Sequence, residues 1–138
     1  MIAYLEASIV LRLVLGEPDR LAQWPQVERA VASTLTEVEC LRTLDRLARR
    51  GLLPNDEVAS RRGAVFRLLE GCTVVDVSRS VMRRAGEPYP TPLGTLDAIH
   101  LATALAWREG TGDPLVMATH DRELALAAGA MGLAVVGV

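Results

Sequence analysis

Over the first residues of the chain the period of the apolar positions changes. Ile2-Ala3-Tyr4-Leu5 is a short apolar run suited to a buried strand, Glu6 interrupts it, and the following ASIVLRLVLGE has helical spacing. Four further β-leaning runs stand out: Ala30 to Thr34, Thr73 to Val77, Leu115 to Ala118 and Leu133 to Val138. They are short and mostly do not alternate, as expected of parallel strands buried on both faces.

Helical patterns fill the intervals. One starts at Thr36, with Glu39 at the N3 position of a capping box, and runs through ECLRTLDRLARR to a stop at Gly51. A second begins near Pro54-Asn55-Asp56 and ends near Gly71, and a third follows Ser78. A fourth spans Gly94 to Gly110, with Leu96, Ile99, Leu101, Ala102 and Leu105 forming its apolar stripe. The last starts at Asp121 and ends near Gly129. Strands alternating with helices predict an α/β sandwich with a mostly parallel sheet. Residues 87 to 95, EPYPTPLGT, carry three prolines and read as a stiff connector, with a lid as the alternative.

At 138 residues the chain is expected to form one domain with its own core. Half of it is hydrophobic and the mean hydropathy is +0.23, so much apolar surface must be buried in the core or in partner interfaces. No run approaches the ~20 apolar residues of a membrane span, and the start lacks the basic region of a signal peptide. A cytoplasmic protein is expected. Cys40 and Cys72 lie in apolar contexts without metal-ligand spacing, which predicts free buried thiols. The chain contains no lysine: fifteen arginines against seventeen acids give a formal charge of −2, which is no signature of nucleic-acid binding. The lysine deficit fits a coding bias, although arginine is the better bidentate phosphate ligand.

Ligands of parallel α/β folds gather beyond the carboxyl ends of the strands. Glu6 follows the first run, Glu39 comes soon after the second, and Asp121 follows Leu115 to Ala118. Asp97 interrupts the apolar pattern early in its helix. Converging carboxylates repel one another unless a cation sits among them, and an all-oxygen set suits Mg²⁺ or Mn²⁺ rather than zinc. Each acid also has a plain structural reading. Glu39 could be only a capping-box residue, Asp121 only an N-cap, and Asp97 only a complement to the positive end of its helix. Glu6 is harder to dismiss, because a buried strand end is a costly place for an idle charge. His100, one turn after Asp97, reads as a hydrogen-bonded structural histidine, with a substrate contact as the alternative. Arg42, Arg46 and Arg49 read as a solvated helix face, with a phosphate track as the alternative.

Four stretches in order, YLEASIVLRLVLGE, ASTLTEVECLRTL, GTLDAIHLATAL and VMATHDRELALAA, resemble the acidic segments of the PIN-domain family, specifically the VapC-type toxins of bacterial toxin and antitoxin pairs. The resemblance covers nearly the whole chain. It implies one PIN-like domain over residues 1–138: a three-layer α/β/α sandwich around a mostly parallel sheet of about five strands. It further implies a Mg²⁺ or Mn²⁺ site lined by Glu6, Glu39, Asp97 and Asp121, supported by the hydroxyls of Ser8 and Thr119, that hydrolyses RNA. A cognate antitoxin and a homodimer are the partners it implies. The chain departs from the family pattern at Glu6, since YLEAS stands where an aspartate is expected, as in YLDTS. The longer side chain reaches roughly 1.5 Å farther.

Two other functions compete with a ribonuclease toxin. A PIN-fold module weakened at Glu6 would bind RNA or an antitoxin without cutting efficiently. An unrelated α/β enzyme with an acidic Mg²⁺ pocket, such as a phosphatase or phosphoacceptor domain, is the other. Phosphoacceptor domains present a lysine near the acids, and this chain has none.

Overall fold

The computed structural model describes residues 1–138. Its five strands are β1 (Ile2–Leu5), β2 (Arg29–Ser33), β3 (Thr73–Val75), β4 (Val116–Ala118) and β5 (Ala134–Val136). All pair in parallel, in the order β3-β2-β1-β4-β5. Six helices connect and cover them: α1 (Ala7–Leu15), α2 (Thr34–Arg49), α3 (Asn55–Glu70), α4 (Arg79–Ala85), α5 (Thr95–Thr111) and α6 (Arg122–Ala130). No helix is long and apolar enough to cross a membrane.

The period-2 geometry of the central strand divides the core. Ala3 and Leu5 point to one face and pack with Ile9 and Val10 of α1, Cys40 and Leu44 of α2, and Val65 and Leu69 of α3. Tyr4 points to the other and packs with Leu101, Ala104 and Leu105 of α5 and Leu124 of α6. Tyr4 pairs with Val31 and Met117, and all three are fully buried. A strand covered on both sides has no solvent face to alternate with, which is why its sequence reads as a continuous apolar run. The result is the expected three-layer α/β/α sandwich.

The expected elements are all present, with β3, β4 and β5 shorter than their apolar runs, β2 shifted by one residue and one helix start displaced. Thr34 belongs to α2, not β2, and the helix is capped by Ser33, whose Oγ accepts from the Leu35 amide at 2.8 Å. Serine at a strand end, already extended at φ −100° and ψ 155°, is well placed for this role. Thr36 therefore caps nothing; its buried hydroxyl donates to the Leu5 carbonyl at 3.5 Å. The capping-box reading of Glu39 is corrected accordingly. The glutamate sits in the second turn of α2, free of the helix terminus. A 3-10 turn at Trp24–Gln26 is the one element the pattern does not predict. In the proline-rich connector, Tyr89 and Leu93 pack against the core on the α5 side.

From β1 the chain runs outward to β2 and β3, and from β4 outward to β5. The reversal lies between β1 and β4, and the crevice beyond their carboxyl ends is where such sheets bind ligands. Glu6 and Thr119 follow these two strand ends directly.

Candidate active site

Glu6 is the N-cap of α1. One carboxylate oxygen accepts from the Ser8 amide at 3.1 Å; the other accepts from the Ser8 hydroxyl and, at 3.2 Å, from the Thr119 hydroxyl. Only 7% of the residue is exposed. The longer arm of glutamate is thus folded back over the start of its own helix. The Thr119 hydroxyl in turn accepts from the Asp121 amide at 3.0 Å, and the His120 amide donates to Ser8 Oγ at 3.2 Å. A network of short polar contacts therefore joins the ends of β1 and β4. Gly137 closes it from behind: at φ +102°, a Cβ there would meet the Thr119 carbonyl oxygen at 2.5 Å, so only glycine lets β5 approach.

Glu39 reaches the same rim from α2 and meets His100 of α5, whose Nε2 lies 2.5 Å from its carboxylate. A carboxylate only accepts, so Nε2–H is the donor there. The Tyr4 hydroxyl meets the other ring nitrogen, Nδ1, at 2.8 Å. Burial pushes the tyrosine pKa well above its ordinary value, so the phenol keeps its hydrogen. Tyr4 and His100 are both fully buried and meet edge to face. Carboxylate and imidazole atoms of Glu6, Glu39 and His100 all lie within 4.8 Å of one another. With both ring nitrogens engaged, His100 orients a carboxylate and offers no free lone pair to an ion.

Asp97 occupies the first turn of α5, whose N-cap, Gly94, has no side chain to offer. Burial first, then the charges of Asp121, Glu6 and Glu39, push its carboxyl up to about 6, against an opposing pull from His100. Asp121 caps α6, its Oδ1 accepting from the Leu124 amide at 2.9 Å. The capping reading of Asp121 and its place beside the other acids are therefore both true. Glu6 and Glu39 come into direct proximity, while Asp97 and Asp121 flank them as interacting charges. The thiols stand apart from this chemistry: burial pushes Cys40 up to about 12 and Cys72 up to about 11, and both are free.

From Glu6 and Glu39 a groove of about 390 Å³ runs between α1 and α2 and the start of α5. Arg42 and Arg46 line it together with Leu11, Leu35, Val38 and Leu96. A larger cavity, about 660 Å³, lies between α6 and β5 and is almost wholly apolar, with Arg122 its one charged residue. The acids mark the smaller groove as the candidate site. Sequence spacing left the Tyr4 to His100 to Glu39 chain unread, because it joins residues 96 and 61 positions apart. The available signal was a histidine one turn beyond Asp97.

The family model for the PIN domain matches residues 3–130. Ribonuclease VapC35 of Mycobacterium tuberculosis is 37% identical over 140 residues, covering 96% of this chain and 94% of that protein. Ribonuclease VapC46 of the same species is 32% identical over 136 residues, covering 96% and 95%. Among solved structures, VapBC2 from Rickettsia felis bound to a promoter DNA fragment superposes with a TM-score of 0.68 at 14% identity, over 98% of this chain and 97% of that one. A toxin-antitoxin complex from Klebsiella pneumoniae gives 0.68 at 16% identity, over 99% and 96%. At such identities the structures establish the fold, while the sequence matches establish descent. The chain belongs to the PIN-domain family and, within it, to the VapC-type members.

Proposed function

We propose that this chain is a metal-dependent endoribonuclease of the toxin type, a single PIN domain over residues 1–138 that hydrolyses RNA phosphodiester bonds in the cytoplasm. The observation that carries the reading is the meeting of Glu6 and Glu39 at the switch point of the sheet, beside an Asp97 carboxyl that burial first, and then the charges of Asp121, Glu6 and Glu39, push up to about 6. Supporting it are two relatives named as ribonucleases that align along nearly the full chain. The donor set is all oxygen, which fits Mg²⁺ or Mn²⁺. A cation there would relieve the acid–acid repulsion that adds to burial in raising Asp97.

The four carboxylates would hold such an ion, which when bound supplies Lewis acidity: it lowers the pKa of an attacking water and stabilises charge on the leaving oxygen. The remaining work belongs to the chain. His100 fixes the plane of Glu39, Ser8 and Thr119 fix Glu6, and the helix cap fixes Asp121. Both thiols stay protonated, so no cysteine nucleophile competes with water. As partners we propose a protein antitoxin, in keeping with the toxin-antitoxin complexes that share the fold, and a second copy of the chain. Half-exposed Val38, Met82 and Leu96 and the more exposed Leu126 offer apolar surface for both.

A second reading is favoured by one observation: every Glu6 oxygen already accepts hydrogen bonds. If that carboxylate never turns to an ion, the protein is a binding module for RNA or antitoxin. The deciding experiment is cleavage of a mixed structured RNA pool by purified antitoxin-free protein in Mg²⁺, in Mn²⁺ and in EDTA, alongside Asp97→Asn. Metal-dependent cuts that vanish in the variant support the nuclease; folded protein that cuts in neither metal supports the module.

A further inference from the structure

We propose that Arg42 and Arg46 form a phosphate-holding track for single-stranded RNA, running along α2 away from the carboxylates, so that substrate is gripped by its backbone on one side of the scissile bond. The proposal rests on the ribonuclease reading and adds where the substrate lies and what part of it is recognised.

The sequence spacing sets the geometry. Glu39, Arg42, Thr43 and Arg46 recur at three- and four-residue intervals, which places them on one stripe of α2. All four line the groove whose inner end holds Glu6 and Ser8. At 1.5 Å per residue, Arg46 stands about 10.5 Å along the helix axis from Glu39. A chain of phosphates entering at the acids would therefore pass the two guanidiniums in turn. Glu37, two residues before Glu39, faces the opposite side of the helix at 100° per residue and does not neutralise the stripe.

The guanidiniums are available. Arg46 donates to the Thr43 hydroxyl at 2.9 Å and pairs with no carboxylate. Arg42 lies 3.2 Å from Asp45, but Arg49 shares the same oxygen at 3.0 Å. Asp45 is thus divided between two guanidiniums, and Arg46 is left with no carboxylate partner. Arginine forks match phosphate geometry bidentately. Leu11, Leu35, Val38 and Leu96 supply the apolar lining, and no aromatic side chain lines the groove. Stacking of unpaired bases, the usual source of sequence preference on a single strand, has no platform here. The face thus offers ion-binding acids and, farther along α2, phosphate contacts, with apolar surface beside the acids, in a groove of about 390 Å³ that suits one strand and not a rigid duplex.

The test measures binding of fluorescein-labelled single-stranded and duplex RNA by anisotropy across a salt series, in an Asp97→Asn background that prevents cutting. Arg42→Gln, Arg46→Gln and the double variant are compared with Arg67→Gln, an exposed arginine on α3 outside the groove. Counterion release of about 0.7 per phosphate on a single strand predicts that the double variant lowers the slope of log affinity against log salt by about 1.4, and weakens binding roughly fifteenfold at 0.15 M salt. The loss should be equal across RNA sequences and absent in Arg67→Gln. In the otherwise native protein, KM for cleavage should rise while kcat at saturation holds. Arg46→Lys should restore the salt slope.

An unchanged slope and KM in a double variant that melts like the native protein, while the native protein still cuts RNA, overturns the track and leaves the nuclease reading standing. Native protein that fails to cut but binds a single strand with the predicted slope change sinks the nuclease reading and keeps the track. Weaker capture of an antitoxin peptide with no change in RNA slope gives the groove to the protein partner and overturns the proposal, as does equal slope loss on duplex RNA.

Discussion

Glu39 and Asp97 reach the same rim from helices on opposite faces of the sheet, and they are held there by opposite means. Glu39 is tied by hydrogen bonds through a fully buried histidine to a fully buried tyrosine on the central strand. Asp97 has no such support; it is half-buried, and burial first and then the neighbouring acids raise its carboxyl to about 6. One side of the pocket is preorganised and the other stores repulsion. A pocket built this way has its geometry fixed before a cation arrives and gains free energy when it does, since charge pressed together without relief weakens the fold.

The comparison breaks most visibly at Asp97. Asp97→Asn should remove cleavage by more than the roughly 10- to 100-fold carried by residues that only support metal ligands, and at the same time stabilise the metal-free fold. The native carboxyl binds its proton more tightly than the unfolded one, so stability falls as pH rises from about 4 to about 6 and stays low above it. Because the group is partly exposed and screened, the cost is on the order of 1 kcal/mol. The variant should melt roughly 3 to 4 °C higher at pH 7 and gain little at pH 4. Melting curves at both pH values with EDTA check this, and added Mn²⁺ should raise the native melting point more than that of the variant. An unchanged cutting rate in the folded variant would remove Asp97 from the site.

On the Glu39 side the expected losses are smaller and of the other sign. His100→Ala leaves the Tyr4 hydroxyl and the Glu39 carboxylate without their partner and opens a cavity, which costs about 2 to 4 kcal/mol. Tyr4→Phe keeps the ring and costs about 1 kcal/mol. If the chain of bonds orients Glu39, calorimetric titration with Mn²⁺ should show affinity about 10- to 100-fold weaker for His100→Ala and only a fraction of that loss for Tyr4→Phe. Equal Mn²⁺ affinity in all three proteins would make the histidine a core residue and nothing more.

This contrast also marks what the sequence could disclose. Short non-alternating runs located all five strands, because a strand buried on both faces must be apolar throughout; Tyr4 among Val31 and Met117 shows why. Ser33 was missed as a cap because the Thr36 to Glu39 spacing fits a capping box equally well, and only the pairing of β2 with β3, where Ser33 lies opposite Val75, decides where the strand ends. Acids at strand ends were legible from topology alone. The Tyr4, His100 and Glu39 chain was not, since three residues from three elements carry no local spacing. Nor could periodicity tell that Arg42 and Arg46 line the groove while Arg49 does not, for all three share a stripe with the right period.

The smallest expected effect comes from the residue that departs from the family pattern. Glu6→Asp shortens the arm by roughly 1.5 Å and keeps its charge. Aspartate caps a helix as well as any residue does, so the contact with the Ser8 amide survives, and the Thr119 hydroxyl, 3.2 Å away at present, is the contact given up. Stability should therefore change by less than about 1 kcal/mol. A carboxylate freed from Thr119 has a lone pair to turn toward the groove, so cleavage should stay level or rise a few-fold, and Mn²⁺ affinity with it. A clear fall in both would mean that Ser8, Thr119 and Gly137 are built around the longer side chain, making Glu6 a working part of this pocket in its own right.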